Sequence, residues 1–131
     1  MRTSIIIMLA LGILCFMVLV ANCFGETAYI DTPNLTIVNA IYIAEGGANT
    51  KYPYGIVSID TKGDEKYARK ICFNTVRNNK VRFMKQEEYK CYIEFLGSRY
   101  APIGAKNDPK GLNKNWVKNV KYYLNKEKSW K

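Results

Sequence analysis

Asp31-Thr32-Pro33-Asn34-Leu35-Thr36-Ile37-Val38-Asn39-Ala40-Ile41-Tyr42-Ile43-Ala44-Glu45-Gly46-Gly47 is the stretch whose reading decides the fold. It predicts a helix of about three and a half turns with both ends marked. Thr32 or Asp31 is expected to cap the first free amides, and Pro33 suits the first helical position, where no backbone donor is needed. Gly46 or Gly47 can take the left-handed conformation that ends a helix. Val38, Ile41 and Tyr42 share one face. At ~100° per residue, Glu45 lies ~20° from Val38, ~40° from Ile41 and ~60° from Tyr42, inside the apolar stripe. A carboxyl placed there loses water, and desolvation raises its pKa. Such a glutamate keeps its proton near neutral pH and can donate it. The plain alternative is a glutamate solvated by fraying of the last turn.

Downstream, Tyr52-Pro53-Tyr54-Gly55 introduces Ile56-Val57-Ser58-Ile59-Asp60, a short run with β-branched residues and partial alternation, closed by Thr61-Lys62-Gly63-Asp64. It predicts one or two very short strands. Three helical segments follow. The first runs from Asp64 to about Asn78 with Ala68, Ile71, Cys72 and Thr75 at helical steps. The second runs from Gln86 to Leu96, turning Tyr89, Tyr92, Ile93 and Leu96 to one side and stopping at Gly97. The third runs from Lys114 to Leu124, with Trp116, Val117, Val120, Tyr123 and Leu124 inward and Asn113 as its cap. Residues 79–85 read either as more helix or as a turn, residues 98–112 as a loop, and the polar tail 125–131 as a fraying end. The fold class expected is mainly α, a small helical domain with a β-hairpin-like insertion after the glutamate-bearing helix.

Length allows one domain in the 131 residues. Residues 1–25 read as a secretory signal: Arg2, an apolar run from Ile5 to Val20, and a small residue at Gly25 where cleavage is expected. An uncleaved membrane anchor is the alternative. Leu19-Val20-Ala21-Asn22-Cys23 distantly resembles a lipoprotein cleavage box, with Asn22 where a small residue is wanted. The expected domain is 26–131, its core about 34–124, exported and without stable membrane insertion once the signal is cut.

Cleavage removes Arg2 alone of the 20 basic residues and none of the 11 acidic ones, so the net charge falls from +9 to +8. The absence of histidine excludes Ser-His-Asp and Cys-His hydrolases and the usual histidine-bearing zinc sites. No metal or organic cofactor is expected. A basic exported domain meets DNA, anionic membrane or acidic wall polymer, and charge alone does not choose. Lysines spread from Lys51 to Lys131 argue against a dedicated nucleic-acid face. Cys72 and Cys91 are the cysteines left after cleavage. A disulfide between them would close a loop of about 20 residues, worth ~3 kcal/mol on loop entropy. The alternative is two separate buried thiols.

The order of parts resembles the lysozyme-like superfamily, and more closely the small exported transglycosylase (SLT)-type peptidoglycan-cleaving domains. The resemblance is carried by Ala40-Ile41-Tyr42-Ile43-Ala44-Glu45-Gly46-Gly47, Tyr52-Pro53-Tyr54-Gly55-Ile56-Val57-Ser58-Ile59, Phe95-Leu96-Gly97-Ser98-Arg99-Tyr100-Ala101-Pro102 and Leu112-Asn113-Lys114-Asn115-Trp116-Val117-Lys118-Asn119-Val120, spanning roughly 34–124. Three departures stand out. Gly46 follows the glutamate where the family has serine. Gly55-Ile56-Val57-Ser58 stands for the family's Gly-Leu-Met-Gln. Tyr100 alone stands for its Tyr-Asn-Ala-Gly tyrosine.

The resemblance implies a monomer acting on peptidoglycan glycan strands, with Glu45 as the acid that protonates the leaving oxygen of the β-1,4 bond. It implies that Tyr54 and Ser58 line the cleft floor and that Tyr100 hydrogen-bonds Glu45 or the sugar. Arg99 would pair with a carboxylate or the muramyl lactate, its competing role being a plain surface arginine. Asn115 and Trp116 would contact sugar, with a core position as the competing role of Trp116. A lytic transglycosylase needs no second carboxylate; a hydrolase does. Asp60, 15 residues after Glu45, is the candidate for it, and its competing role is to cap the turn that follows. Other classes stay open: a wall-binding protein without activity, a basic protein acting on membranes or nucleic acid, and a disulfide-held inhibitor or toxin-like domain.

Overall fold

A computed structural model describes residues 29–128. The signal segment at 1–25, the lipoprotein-like box and residues 129–131 of the tail lie outside the described residues.

Helix α1, Asn34–Ala44, is the centre of the molecule, with Ile37, Val38, Ala40 and Ile41 buried. Its start differs from the expectation. Pro33 is the N-cap residue itself, and no side chain closes a capping bond there. The Lys80 ammonium instead donates to the Thr32 carbonyl at 2.5 Å, tying the start of α1 to another helix. The C-terminal end follows the sequence. Glu45 is the cap residue, and Gly46 and Gly47 both take positive φ, 94° and 57°.

Helix α2, Glu65–Phe83, begins where Asp64 accepts from the Tyr67 amide at 3.0 Å. It buries Ala68, Cys72, Val76 and Asn79, a stripe at steps of three and four, and absorbs most of the segment that read either way. Gln86 then organises the turn after it. Its side-chain oxygen accepts from the Tyr89 amide at 2.7 Å, and its nitrogen donates to the Phe83 and Tyr89 carbonyls. Those bonds favour a turn over the helix expected to start at Gln86.

Helix α3 is Tyr92–Tyr100 and runs straight through Gly97. Gly97 is a contact point instead of a stop. A Cβ there would stand 2.6 Å from Val117 Cγ2 and 3.1 Å from Trp116 Cε3, so its bareness lets the last helix approach. Asp108, on the loop between, accepts from the Leu112 and Asn113 amides at 2.8 Å each, taking the capping role expected of Asn113. A 3₁₀ turn at Leu112–Asn115 leads into α4, Trp116–Lys128, which buries Trp116, Val120 and Leu124 and stays helical past the expected end.

Helix α1 packs against α2 and α4, and α3 bridges those two. Tyr92 Oη donates to the Val76 carbonyl at 2.7 Å, joining α3 to α2; Lys121 pairs with Glu94 at 2.7 Å, joining α4 to α3. Tyr29 Oη meets Asn125 Oδ1 at 3.1 Å, tying the start of the described chain to its last helix.

No strand occurs among the described residues. Pro53–Gly55 is a 3₁₀ turn in which Tyr54 and Gly55 both have positive φ, 63° and 65°. Two successive left-handed residues reverse the chain, and the segment beyond finds no partner strand. The cysteines also depart from the preferred pairing, being free and buried separately. Cys72 faces Tyr100 from α2, whereas Cys91 sits at the N-cap position of α3 without a capping bond from its side chain. No helix among the described residues is long and apolar enough to cross a membrane.

Candidate functional site

The position of Glu45 follows from the geometry of the α1 terminus. Its φ and ψ, −86° and 5°, still carry the side chain along the helix's apolar face, while Gly46 turns the backbone away. The carboxyl is therefore half-buried between elements instead of hanging in solvent.

Two contacts define it. From α4, Trp116 Nε1 donates to Glu45 Oε1 at 2.8 Å. From the 3₁₀ turn, the Gly55 backbone comes so near that a Cβ would lie 2.6 Å from both Cδ and Oε2 of Glu45. A side chain there would strain the left-handed backbone and push the carboxyl aside. Burial pushes the Glu45 carboxyl above its ordinary value, and the indole hydrogen bond partly opposes this by favouring the anion.

A layer of aromatic rings backs the carboxyl. Tyr100 stacks on Trp116 with centroids 5.3 Å apart and planes at 27°, and Tyr42 lies 5.0 Å from Tyr54. Tyr100 Oη lies 2.5 Å from the Tyr54 carbonyl and 3.6 Å from Cys72 Sγ. Its single proton serves the shorter contact. Burial raises the Cys72 thiol to about 12, against the Tyr100 bond and helped by the Glu45 charge. The Tyr100 phenol is raised too, first by burial and then by Cys72 and Glu45, so it stays a neutral donor at any working pH.

In front of the carboxyl lies a cavity of about 320 Å³, lined by Ala44, Glu45, Leu112, Asn113, Asn115, Trp116 and Asn119. That is the small end of ligand-sized clefts, which run from about 300 to 1,000 Å³. Three carboxamides and one carboxyl share this space. Each amide both donates and accepts, the pattern that reads hydroxyl and acetamido groups.

The expected site residues divide accordingly. Glu45 and Asn115 line one cavity, and Tyr100 and Tyr54 support it from behind. Tyr54 is buried and takes part through its carbonyl, and the Tyr100 hydroxyl is directed to that carbonyl. Ser58 and Asp60 line another cavity with Lys51, Tyr52 and Ile59. Asp60 Oδ1 accepts from the Lys62 amide at 2.9 Å, the turn-capping role. Arg99 lies over the Phe95 ring at 5.8 Å and lines neither cavity. Cys72 and Cys91 form no disulfide. No group of three or more His, Cys, Asp or Glu able to hold a metal occurs among the described residues.

Sequence reasoning missed the indole donor, because Trp116 at helical spacing reads as core. It also missed Asn113 and Asn119. The signal for these was present in the row Asn113, Asn115, Asn119 at the start of a helix, an unusual density of amides beside a tryptophan.

No family model, no curated protein and no solved structure matches this chain.

Proposed function

We propose that this protein cleaves the β-1,4 bond between N-acetylmuramic acid and N-acetylglucosamine in peptidoglycan, as a lytic transglycosylase with Glu45 as general acid and then base. The observation that carries the reading is a half-buried carboxyl, its pKa raised by burial, facing a cavity lined by three asparagine amides in which it is the only carboxylate. The order of parts that resembles lysozyme-like domains, a helix ending in glutamate followed by a short glycine-containing segment and packed helices, supports it. So does the apolar N-terminal run, which would carry the chain to the wall.

Protonated Glu45 gives its proton to the glycosidic oxygen as the C1–O bond breaks, so that a neutral hydroxyl leaves. Charge develops at C1 while Glu45 becomes the anion, which Trp116 Nε1 stabilises. The muramyl 6-hydroxyl attacks C1, and Glu45 takes its proton, ending protonated beside a 1,6-anhydro product. One carboxylate completes the cycle. Asn113, Asn115 and Asn119 hold acetamido and hydroxyl groups. A hydrolase reading would need Asp60 at the reacting carbon, and its carboxyl caps the Lys62 amide in another cavity.

The test is mass spectrometry of soluble products from peptidoglycan treated with the wild-type protein and with Glu45→Gln. Anhydro-muropeptides that vanish in the variant are the expected result. Reducing-end products would move the mechanism to hydrolysis. Failure to release any product from several wall types would overturn the enzyme reading in favour of a wall-binding protein.

A further inference from the structure

We propose that Tyr100 is the positioning residue that sets both contacts of the Glu45 carboxyl. Its hydroxyl fixes the Tyr54–Gly55 turn against that carboxyl, and its ring orients the indole that donates to it. The inference rests on reading Glu45 as the working acid, and its test reads the carboxyl without any substrate. A protein that cleaves no glycan would therefore leave the result interpretable.

Tyr54 has φ 63° and ψ 13°, a left-handed conformation that a bulky residue adopts only when its surroundings impose it. The Tyr54 ring is buried against Tyr42, and its carbonyl receives the Tyr100 hydroxyl at 2.5 Å. That carbonyl belongs to the peptide unit whose nitrogen is Gly55, the residue pressed on Glu45. Holding the carbonyl holds the glycine. On its other side Tyr100 stacks on Trp116, and the same indole donates to Glu45 Oε1. One side chain thus touches both walls of the carboxyl's environment.

Among the described residues, the ionisable groups that interact with Glu45 are the Cys72 thiol from α2 and the Tyr100 phenol from α3, and α4 offers the uncharged indole; the Tyr54 phenol interacts with Cys72 and Tyr42. Arg69 and Glu65, both on α2, act on Tyr54. The burial of Glu45 is thus the main quantity that a loosened turn would change.

The experiment follows the Glu45 carboxyl ¹³C resonance against pH in the wild-type protein, Tyr100→Phe and Trp116→Phe. Tyr100→Phe keeps the ring and removes the hydroxyl. The turn relaxes, water reaches the carboxyl, and the midpoint moves down toward the ordinary carboxylate range. Trp116→Phe leaves burial in place and removes the donor, so its midpoint moves up. Shifts in these opposite directions support the proposal. An unchanged or raised midpoint in folded Tyr100→Phe overturns it. Should that variant not fold, the ring resonance of Tyr100 in the wild-type protein decides. A phenol that stays neutral until the fold melts supports the assignment, and one ionising near its ordinary value of 10.0 overturns it.

Discussion

Gly55 and Glu45 lie so close that the smallest side chain on the first would intrude on the carboxyl of the second, at 2.6 Å from its carbon. That approach, made by backbone instead of side chain, excludes water from Glu45 without adding a competing charge. It also makes the turn at Pro53–Gly55 part of the site, although its tyrosine side chain faces the core.

Gly55→Ala is accordingly expected to damage both stability and chemistry. The left-handed φ of 65° costs an alanine roughly 1–2 kcal/mol before any clash is counted. At about 4–8 °C per kcal/mol for a domain of this size, thermal unfolding should show a clear drop in Tm. The glycan cleavage proposed above should fall further than the lost folded fraction explains, because the carboxyl itself is displaced. A Tm equal to wild type would show that the turn is looser than described.

Glu45 links pH to stability with a definite sign. Its folded-state pKa is raised above the ordinary 4.5, so between those two values the folded protein binds the extra proton. The contribution of Glu45 to stability is greatest below about pH 4.5, declines as pH rises through this window, and levels off above the folded midpoint. Glu45→Gln has no proton to lose. Denaturant titrations across pH should show the variant gaining on wild type as pH rises through the window, with no such gain in acid. A wild-type curve that rises with pH in the same window relative to the variant would mean that hydrogen bonding to the anion outweighs burial.

Gly97→Ala separates packing from conformation, since Gly97 has ordinary helical geometry. The added methyl meets Val117 at 2.6 Å and the Trp116 ring at 3.1 Å, and overpacking of this kind costs about 1–3 kcal/mol. Because the displaced neighbour is the residue that donates to Glu45, the indole N–H resonance should shift along with the fall in Tm. A fall in Tm with an unmoved indole resonance would confine the effect to Val117.

Cys72 and Cys91 should resist alkylation in the native protein. Both are buried, and burial holds Cys72 up to about 12, leaving almost no thiolate at neutral pH. Peptide mapping after iodoacetamide should find both thiols unmodified until denaturant is added. Reducing agent should leave the Tm unchanged. A Tm that fell on reduction would point to a bond between them.

Much of this arrangement could be read from the residues, and the failures have physical causes. Glu45 on the apolar stripe of a glycine-terminated helix foretold its half-burial, because helix periodicity is local and survives packing. Ile56-Val57-Ser58-Ile59 misled for the opposite reason: β-branched alternation suits a strand only where another strand pairs with it, and none does among the described residues. Gly97 read as a stop because a glycine that ends a helix and one that admits a neighbouring helix look the same in sequence. The left-handed backbone of Tyr54 could not be read, since it is held by contacts with Tyr42 and Tyr100, both distant in sequence. Trp116 was legible as a buried aromatic, but not as a hydrogen-bond donor to a residue 71 positions away.

The central helix α1 packs most closely with α4, the last described helix, and the clasp from Tyr29 to Asn125 closes the same seam. The defining contacts are therefore among the most distant in sequence, and the intervening loop must be closed before they contribute. A chain emerging from the ribosome cannot complete its core, or bring Trp116 to Glu45, until α4 has left the exit tunnel. Until α4 is made, the Glu45 carboxyl lacks its indole donor and one wall of its cavity, however much helix has already formed.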